Sequence, residues 1–438
     1  MCEGKMQASS LVRIRSMSSL EGEEVRLRGW VGARRSGGRV SFVEVRDGSG
    51  DVQVVFSGSS LTDGVQEVLR SLTRESAVEV RGVVRRDARA SAGFELEGLD
   101  ISLISPSEEW PFSSQEVSAD ARIGERQLYL RSRRMGAILR LRALLSRVLR
   151  ETLDSRGFLN VDAPIFTPNV VEESASLFDA PDASAIAYLS QSGQLYNEAS
   201  ALAFGQVYSF GPVFRSERKP THRHLSEFWM LEPELAFGTM EDVIELSEAV
   251  VFAALSACVT EGRAWLEALG RDVAFLEACR PPYPRISYEE AVSRARAAGV
   301  MVNVGDDLDA SAEAAITRPL ATPVWVVGFP TAQKSFYMKR QAGNPDRVVA
   351  ADLLAPEGYG EIMGGGEREE SYAQLVENLR ERGLDPDLFA WYLSLRKHGS
   401  VPHAGFGLGL ERLLVWIAGL SAIDEAIAFP RLPTRQAP

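Results

Sequence analysis

Residues 207–237, VYSFGPVFRSERKPTHRHLSEFWMLEPELAF, contain two apolar, strand-like runs on either side of a charged loop around Pro220. The pattern predicts a β-hairpin. Because residues two apart in a strand point to the same side, Arg215 and Glu217 are expected to share one face. There an arginine could bind phosphate and a carboxylate could accept a hydrogen bond from the amino group of adenine. Such a stretch is also compatible with an ordinary hairpin whose exposed charges are solvated.

A second segment favours the nucleotide interpretation. Residues 405–412 read GFGLGLER, in which glycine alternates with apolar residues before Arg412. In a strand, Gly405, Gly407 and Gly409 would lie on one face and leave a flat floor where a planar ligand can approach the backbone. The two segments together predict a site for a nucleoside triphosphate.

Three segments, in this order, resemble the three motifs of the class II aminoacyl-tRNA synthetases, within the aspartyl, asparaginyl and lysyl subgroup. GFLNVDAPIF at 157–166 resembles the first motif, which forms the dimer and ends in proline. Residues 215–217 with 223–225 resemble the second motif, and residues 405–412 resemble the third. The resemblance covers nearly the whole chain. It implies a homodimer with an α+β fold, in which a five-stranded OB-fold barrel precedes an antiparallel sheet flanked by helices.

Composition is consistent with a soluble enzyme. The chain has 438 residues, 45% hydrophobic and 25% charged, which predicts two or three domains. No run approaches the ~20 apolar residues of a membrane span, so no membrane partner is expected. Cys2, Cys258 and Cys279 are too widely spaced for a disulfide framework or a zinc-binding pair. With no secretory signal pattern at the N-terminus, we expect a cytoplasmic protein without zinc.

The periodicity divides the chain into two domains and a linker. Strand-like alternation at 24–56, 77–85 and 93–104, with a helical pattern at 61–74, predicts an OB-fold anticodon-binding domain over residues 1–105. A linker is expected over 106–121 and the catalytic domain over 122–438. Within the catalytic domain the patterns predict a helix ending near Gly157, helical connectors at 239–300, a buried strand at 324–329 and a charged helix at 366–383.

The N-terminal domain has a local excess of positive charge, although the whole chain carries a net charge of −12. Five arginines and no acid lie between Arg26 and Arg39, which is typical of either a solvated surface or a nucleic-acid contact. The resemblance implies that this domain reads the tRNA anticodon. Phe42 would stack on a base, Gln53 would bind its Watson–Crick edge and Arg28 would hold a nearby phosphate or base edge. Phe42 could equally be a core residue.

The resemblance implies a two-step reaction with no side-chain nucleophile. An amino-acid carboxylate attacks the α-phosphorus of ATP, and the adenylate then acylates the terminal ribose of tRNA. Positioning and charge stabilisation would supply most of the catalysis. Three residues are expected to be catalytic: Arg215 at the α-phosphate, Arg412 at the γ-phosphate and over the adenine, and Glu361 at the metal.

The remaining ATP contacts follow from the same resemblance. Phe228 would cover the other face of the adenine, Glu217 would accept from its amino group, and Gly409 would form part of the floor. Arg223 and His224 would bind the outer phosphates. Mg²⁺ prefers oxygen ligands, and Asp352 and Glu361 flank a glycine-rich turn from which both could reach the β- and γ-phosphates. Alternatively, Asp352 could only pair with a neighbouring arginine.

The segment AYLSQSGQLYNEAS, residues 187–200, resembles the amino-acid-binding segment of the subgroup. Ser192 and Gln194 would bind the backbone ammonium and carboxylate of the substrate. Glu232 and Glu172 would lie on the ammonium side, and Arg368 would face the substrate side chain. An arginine donates but cannot accept, so Arg368 suits either an amide oxygen or a carboxylate.

Asn197 favours asparagine over aspartate as the substrate. Aspartyl enzymes carry a lysine at this position, and binding a buried carboxylate without it would be costly. The expected partners are therefore L-asparagine, ATP and tRNA(Asn). An aspartyl enzyme, possibly one that charges both tRNAs, remains the main alternative. A relative that makes a small amide and a non-catalytic RNA-binding relative are further alternatives.

Two segments depart from the subgroup. Its glycine-rich flap with two acids is replaced by Glu172-Glu173-Ser174-Ala175-Ser176, and a C-terminal IRDVIPFPR pattern is replaced by IDEAIAFPR at 423–431. The second change puts Asp424 where relatives have arginine. We therefore expect an active but divergent enzyme.

Overall fold

A computed structural model describes residues 10–37, 40–57, 61–90, 92–112, 117–172, 176–180, 187–216 and 223–433. The chain divides into two compact units, Met1–Val117 and Ser118–Pro438. Each unit is described by itself.

The first unit is a barrel of five strands with one additional short strand. Its elements in chain order are β1 Ser10–Leu11, β2 Glu24–Gly37, β3 Val40–Arg46, β4 Asp51–Ser57, α1 Asp63–Ser71, β5 Ala77–Arg86 and β6 Phe94–Ser105. Strand pairing follows the order β2-β3-β4-β6-β5, and β5 pairs back to β2. Alternate residues of these strands, such as Val43, Val45, Val54 and Phe56, are fully buried. The predicted five-stranded OB fold is confirmed.

The second unit is built on an eight-stranded sheet. The strands of the whole unit, in chain order, are β7 Leu159–Asn160, β8 Phe166–Thr167, β9 Phe178–Asp179, β10 Tyr188–Leu189, β11 Gln206–Phe214, β12 Glu227–Ala236, β13 Arg285–Ser287, β14 Val324–Val327, β15 Arg340–Gln341, β16 Asn344–Val348, β17 Ala350–Ala355, β18 Gly360–Glu367 and β19 His403–Gly409. The order in the large sheet is β13-β14-β17-β18-β19-β12-β11-β7. It is antiparallel except for β13 with β14 and β11 with β7. The strand predicted near 324–329 is β14, and the hairpin predicted at 207–237 is the β11–β12 pair.

Helices cover this sheet. They are α2 Ala119–Gly124, α3 Arg126–Tyr129, α4 Arg133–Asp154, α5 Gln194–Phe204, α6 Met240–Thr260, α7 Arg263–Ala268, α8 Val273–Ala278, α9 Tyr288–Ala297, α10 Ala310–Thr317, α11 Tyr372–Glu381, α12 Ala390–Ser394 and α13 Leu410–Ala418. Short 3-10 turns lie at Thr331–Gln333, Pro386–Phe389, Leu395–Lys397 and Ile423–Ala426, besides Ile14–Ser19 in the first unit.

Two helical predictions need correction. The helix expected over 366–383 begins only at Tyr372, because residues up to Glu367 continue strand β18 and the Ser371 side chain caps the helix. The region 239–300 is helical as predicted, but it also contains the short strand β13, which pairs with β14.

Residues at both ends of α4 explain where the helix begins and ends. The Ser132 hydroxyl accepts a hydrogen bond from the backbone N–H of Met135 and caps the helix start, and Gly157 follows its end with a φ of 85°. One face of the helix is fully buried, for example at Ile138, Leu141 and Leu145. The prediction of a long first-motif helix ending near Gly157 is consistent with this geometry.

Helix α6 is the one helix in the described part of the chain that is long and apolar enough to cross a membrane. Its most apolar window is 56% buried inside the protein, with Val250, Val251 and Cys258 fully enclosed. Buried core helices of soluble proteins share this composition, and a capping box between Thr239 and Asp242 fixes the start of α6.

Candidate active site

A cavity of about 330 Å³ lies over the centre of the large sheet, where β12, β18 and β19 are neighbours. It brings together most of the predicted ATP- and amino-acid-binding residues that the structure describes. These are Glu172, Ser192, Gln194, Arg215, Arg223, His224, Phe228, Glu232, Asp352, Glu361, Arg368, Gly409 and Arg412. Glu217 lies outside the described residues.

The floor of this cavity is narrower than the glycine pattern predicts. Gly407 and Gly409 line it, whereas Gly405 does not. A Cβ at Gly405 would collide with the Glu234 carboxyl and with the backbone oxygen of Pro233 on the neighbouring strand. Glycine at 405 therefore permits close approach of β12 to β19, and the expectation of three glycines in one ligand floor is wrong for this one.

Three ion pairs surround the end of the cavity that holds Arg412. Arg412 Nη1 donates to Glu361 Oε2 at 2.8 Å, and Arg223 Nη1 donates to Glu313 Oε2 at 2.6 Å. Lys334 Nζ lies 2.7 Å and 2.5 Å from the two carboxylate oxygens of Asp352. Sequence reasoning missed Glu313 and Lys334. No motif signals either residue, since one lies on α10 and the other just after a 3-10 turn.

Asp352 and Glu361 face the same small space, on strands β17 and β18. A Cβ placed on Gly364 would lie 2.9 Å from Asp352 Oδ1 and 3.3 Å from Glu361 Oε1, so the missing side chain leaves room between the two carboxylates. Burial raises the pKa of Asp352 to about 7 despite the Lys334 ammonium. Burial would also raise the pKa of Glu361, but the charges of Arg412 and Lys334 outweigh it and lower that pKa to about 2.

This donor set fits Mg²⁺. Magnesium sites in proteins commonly use one or two carboxylates together with substrate phosphates and water, and two carboxylates around an open space provide that. Among the described residues there is no group of three or more His, Cys, Asp or Glu side chains that could hold a metal.

Arg215 is less constrained than the arginines at the other end. Its guanidinium lies 5.3 Å from the centre of the Phe228 ring, and its nearest carboxylate oxygen is Glu172 Oε1, at 3.9 Å. Its buried Nε has no hydrogen-bond partner within the described part of the chain. The side chain therefore retains donors that a ligand can use.

His224 is held in its neutral form. Its Nε2 lies 3.4 Å from Arg412 Nη2. Burial, followed by the charges of Arg412, Arg223 and Arg215, lowers the pKa of His224 to about 4. A neutral imidazole beside three arginines adds no repulsion of its own to the positive surroundings.

At the other end of the cavity, hydrogen-bond donors in the segment just before α5 hold the Glu232 carboxylate. The Ser192 hydroxyl donates to Glu232 Oε1, and the Gly193 N–H donates to Oε2 at 3.0 Å. Gln194 Nε2 donates to Glu198 Oε1 at 3.0 Å. Burial raises the pKa of Glu232. These contacts place the Glu232 carboxylate, the Ser192 hydroxyl and the Gln194 amide together along the cavity lining.

Arg368 and Glu234 form an almost fully enclosed ion pair, with side chains 2% and 1% exposed. Arg368 donates to both Glu234 oxygens, at 2.5 Å and 3.3 Å, and its guanidinium lies 5.5 Å from the Tyr337 ring centre. Burial raises the pKa of Glu234, but contact with a guanidinium that cannot lose its proton favours the carboxylate form. Sequence reasoning missed Glu234.

Asn197 does not line the cavity. It is fully buried, and its Nδ2 donates to Ser209 Oγ and to the Glu232 backbone oxygen, both at 2.8 Å. The side chain therefore ties α5 to the sheet. Its importance for the site is that it supplies no cation there.

Behind Gln194, at the same end of the cavity as Glu232, lies a fully buried cluster around Glu198. Arg396 Nη2, the Tyr392 hydroxyl and His403 Nε2 all contact Glu198 Oε2, at 2.7 Å, 2.6 Å and 3.0 Å. His403 Nδ1 is 2.8 Å from the Val401 oxygen. Burial opposes ionisation, but Arg396 and His403 lower the pKa of Glu198. The cluster fixes the carboxylate that holds Gln194.

Of the flap segment 172–176, residues 173–175 lie outside the described residues. Tyr337 donates from its hydroxyl to Glu172 Oε1 at 3.2 Å, and Ser176 forms an isolated β-bridge with Ser216. Asp424 contributes through its backbone: its carbonyl oxygen accepts a hydrogen bond from Arg126 Nη2 at 2.9 Å. The neighbouring Glu425 is bound by Arg134 Nε at 2.7 Å.

In the barrel unit, Phe42 and Gln53 lie on the outer face, half-buried and exposed respectively. Arg35 is exposed directly opposite Phe42 in the β2–β3 register. Arg28 is instead bound to Glu79 on β5, with Nε 2.6 Å from Oε2, and lies seven residues, roughly 20 Å, further along the strand. The structure therefore places Arg35, rather than Arg28, beside Phe42.

Comparisons with known proteins agree with this geometry. Residues 118–433 match the family model "tRNA synthetases class II (D, K and N)", and residues 25–104 match an OB-fold nucleic acid binding domain. The chain is 44% identical to the asparagine–tRNA ligase of Pelotomaculum thermopropionicum, over 98% of this chain and 99% of that protein. It is 45% identical to the same enzyme of Thermus thermophilus, over 95% and 97%.

Solved structures give the same result. The crystal structure of asparaginyl-tRNA synthetase from Pyrococcus horikoshii, complexed with asparaginyl-adenylate, superposes with a TM-score of 0.94 at 39% identity, covering 98% of this chain and 99% of that one. Asparaginyl-tRNA synthetase from Entamoeba histolytica, with the same adenylate, has a TM-score of 0.88 at 29% identity, covering 97% and 98%. The chain therefore belongs to the class II tRNA synthetases of the D, K and N group.

Proposed function

We propose that the protein is an asparagine–tRNA ligase. It activates L-asparagine with ATP to asparaginyl-AMP and pyrophosphate, and then transfers the asparaginyl group to the 3′ end of tRNA(Asn). The Arg368–Glu234 pair is the observation that supports asparagine as the substrate. The cation that faces the substrate side chain is already neutralised by a buried carboxylate.

The charge balance around this pair favours a neutral substrate side chain. Glu172 and Glu232 line the cavity, and Asn197 supplies no positive charge. A substrate carboxylate beside Arg368 would therefore be buried next to a guanidinium that is already neutralised, which is costly. The amide of asparagine can accept from Arg368 with its oxygen and donate with its nitrogen to a carboxylate that lines the cavity.

The activation step needs the amino-acid carboxylate in line with the α-phosphorus. Glu232, Glu172, Ser192 and Gln194 would hold the ammonium and carboxylate groups. Arg215, with unused donors and the Phe228 ring beside it, would bind the α-phosphate as negative charge builds up on its oxygens.

Residues at the other end of the cavity would bind the outer phosphates. Arg412, Arg223 and neutral His224 are the donors available there. Asp352 and Glu361 would hold Mg²⁺, which would supply positive charge to stabilise the phosphates of the nucleotide.

The barrel unit supplies the tRNA contacts. Phe42 would stack on an anticodon base and Gln53 would bind a base edge. Arg35 is better placed than Arg28 for the adjacent phosphate or base, because Arg28 is engaged by Glu79.

We further propose a cytoplasmic homodimer. In the first-motif region, Leu159, Ile165 and Phe166 are 47%, 44% and 65% exposed, and such an apolar surface is typical of a subunit interface.

Amino-acid-dependent ATP–pyrophosphate exchange tests the substrate. Purified protein is assayed with asparagine and with aspartate in parallel, with Mg²⁺ in excess. We expect exchange with asparagine and little with aspartate. Exchange supported by aspartate alone would identify an aspartyl enzyme, and exchange with neither amino acid would refute adenylate formation.

A further inference from the structure

Three carboxylates at the phosphate end of the cavity are each bound by a protein cation. Glu361 is bound by Arg412, Glu313 by Arg223 and Asp352 by Lys334. Two of these carboxylates are the proposed metal ligands. A metal ion that approaches Asp352 therefore meets an ammonium group already in contact with both of its oxygens.

Lys334 is positioned as a bound cation would be. Its Nζ is 2.7 Å and 2.5 Å from the Asp352 oxygens and 3.9 Å from the centre of the Phe329 ring, with the side chain 20% exposed. Burial would lower the pKa of Lys334, but the charges of Asp352 and Glu361 raise it. The group is therefore an ammonium ion, and it lines the same cavity as the phosphate-binding arginines.

The backbone beneath this side chain is held in place. Arg382 Nη2 donates to the backbone oxygens of Thr331 and Lys334, which fixes the segment after the 3-10 turn. The part able to move is the flexible lysine side chain, whose four-carbon stem has many rotamers. A short swing of the ammonium group needs no rearrangement of the sheet.

We propose that the Lys334 ammonium occupies the place of the metal ion beside Asp352 in the nucleotide-free protein, and moves to the outer phosphates of ATP when Mg²⁺ arrives with the nucleotide. The proposal rests on the proposed ATP-dependent function. Metal alone must break an ion pair and brings no new anion for the displaced ammonium. Metal with ATP gives the displaced ammonium a phosphate, so the two ligands bind with positive coupling.

Divalent-metal binding to the nucleotide-free protein is the first test. Mn²⁺ serves as the probe, followed by electron paramagnetic resonance at a pH of about 8.5, where carboxylates are ionised. Lys334→Met should bind Mn²⁺ roughly tenfold more tightly than wild type, because no ion pair has to be broken. Adding Asp352→Asn to that variant should cancel the gain.

Lys339→Met is the matched control. Lys339 Nζ also forms ion pairs with two acids, Glu370 at 2.9 Å and Glu367 at 3.4 Å, but it does not line the cavity. Its loss should leave Mn²⁺ binding unchanged. Thermal unfolding checks that each variant is folded, and Lys334→Gln provides a second neutral substitution.

The second test is nucleotide affinity with saturating Mg²⁺. Lys334→Met should bind ATP roughly tenfold more weakly than wild type, because it lacks the displaced ammonium. The proposal is overturned if the neutral variants bind Mn²⁺ no more tightly than wild type, or bind Mg²⁺–ATP equally well. If the wild type shows no asparagine-dependent exchange, the proposed function is refuted instead. The two outcomes can be told apart because Mn²⁺ binding requires no catalysis.

Discussion

His224 lies among three arginines, and this environment determines its protonation state. Because burial and those positive charges lower the pKa of His224 to about 4, its imidazole is neutral at physiological pH. It can then accept from Arg412 or turn toward a phosphate as a neutral donor. A protonated histidine here would add a fourth positive charge before any phosphate is bound.

The depressed pKa of His224 gives a pH-dependent stability. An unfolded histidine titrates near 6.5, so between about pH 6.5 and 4 the unfolded chain binds more protons at this position than the folded protein. Stability from His224 is therefore present above pH 6.5 and is lost as the pH falls toward 4. His224→Gln should remove up to roughly 1.4 kcal/mol per pH unit from the slope of the free energy of unfolding in this window. Urea unfolding of both proteins at several pH values measures it; identical slopes would contradict the assigned pKa.

Asn197 supports asparagine as the substrate, but not through direct contact with it. The sequence suggests that position 197 bears on the substrate because relatives carry lysine there. In the structure its amide donates to Ser209 and to the Glu232 backbone, and the side chain does not line the cavity. Under the proposed function, the missing cation together with Glu234, which already neutralises Arg368, disfavours aspartate.

Among the elements, strand β19 needs glycine for two different reasons. Gly407 and Gly409 leave room for a ligand, whereas Gly405 leaves room for the neighbouring strand β12. The alternating pattern predicts the strand but cannot distinguish these uses, because the reason depends on the partner across the sheet.

Alanine substitution separates the two kinds of glycine. Gly405→Ala should destabilise the protein by about 1–3 kcal/mol, since its Cβ would collide with the Pro233 backbone oxygen and the Glu234 carboxyl. Gly407→Ala is the control on the same strand face, because its Cβ would meet only the terminal methyl of Met230, which can move. We expect little loss of stability there but weaker ATP binding. Chemical denaturation and nucleotide titration measure the two effects, and equal destabilisation would contradict the distinction.

At the scale of the whole molecule, the anticodon-reading and adenylate-forming functions are assigned to separate compact units. Gln53 is exposed on the barrel and donates only a long hydrogen bond, 3.3 Å, to Glu95. Its side chain can therefore exchange that contact for a base edge at little cost.

Gln53→Ala should impair aminoacylation of tRNA(Asn) by roughly tenfold, because a base-edge contact contributes about 1–3 kcal/mol. It should leave asparagine-dependent ATP–pyrophosphate exchange unchanged. Gln66→Ala, on helix α1 of the same unit, is the control, because the Gln66 side chain contacts the Leu61 backbone oxygen and the Arg70 guanidinium within its own helix region. An equal loss of exchange and aminoacylation in Gln53→Ala would rule out an anticodon role.

Sequence reasoning succeeds for this molecule where chemistry is encoded locally. The β11–β12 hairpin, the barrel strands and cavity residues such as Arg215, Glu361 and Arg412 lie in segments whose spacing or motif can be recognised. The partners of other cavity residues are harder to recognise. Glu313, which pairs with Arg223, and Lys334, which pairs with Asp352, lie in segments without a motif. Glu234 lies in the recognised hairpin, but its pairing with Arg368 becomes visible only when the sheet brings the two segments together.

The position of strand β19 in the sheet has a consequence for the order in which the chain folds during synthesis. Residues 403–409 insert between β12 and β18, and both of those strands are synthesised first. Arg126, near the start of the unit, donates to the backbone oxygens of Asp424, Ile427 and Ala428. The barrel unit can close soon after residue 105 leaves the ribosome. The catalytic sheet keeps a gap at its centre until residues 403–409 have emerged, so a ribosome that stalls before residue 403 leaves two exposed strand edges open to aggregation.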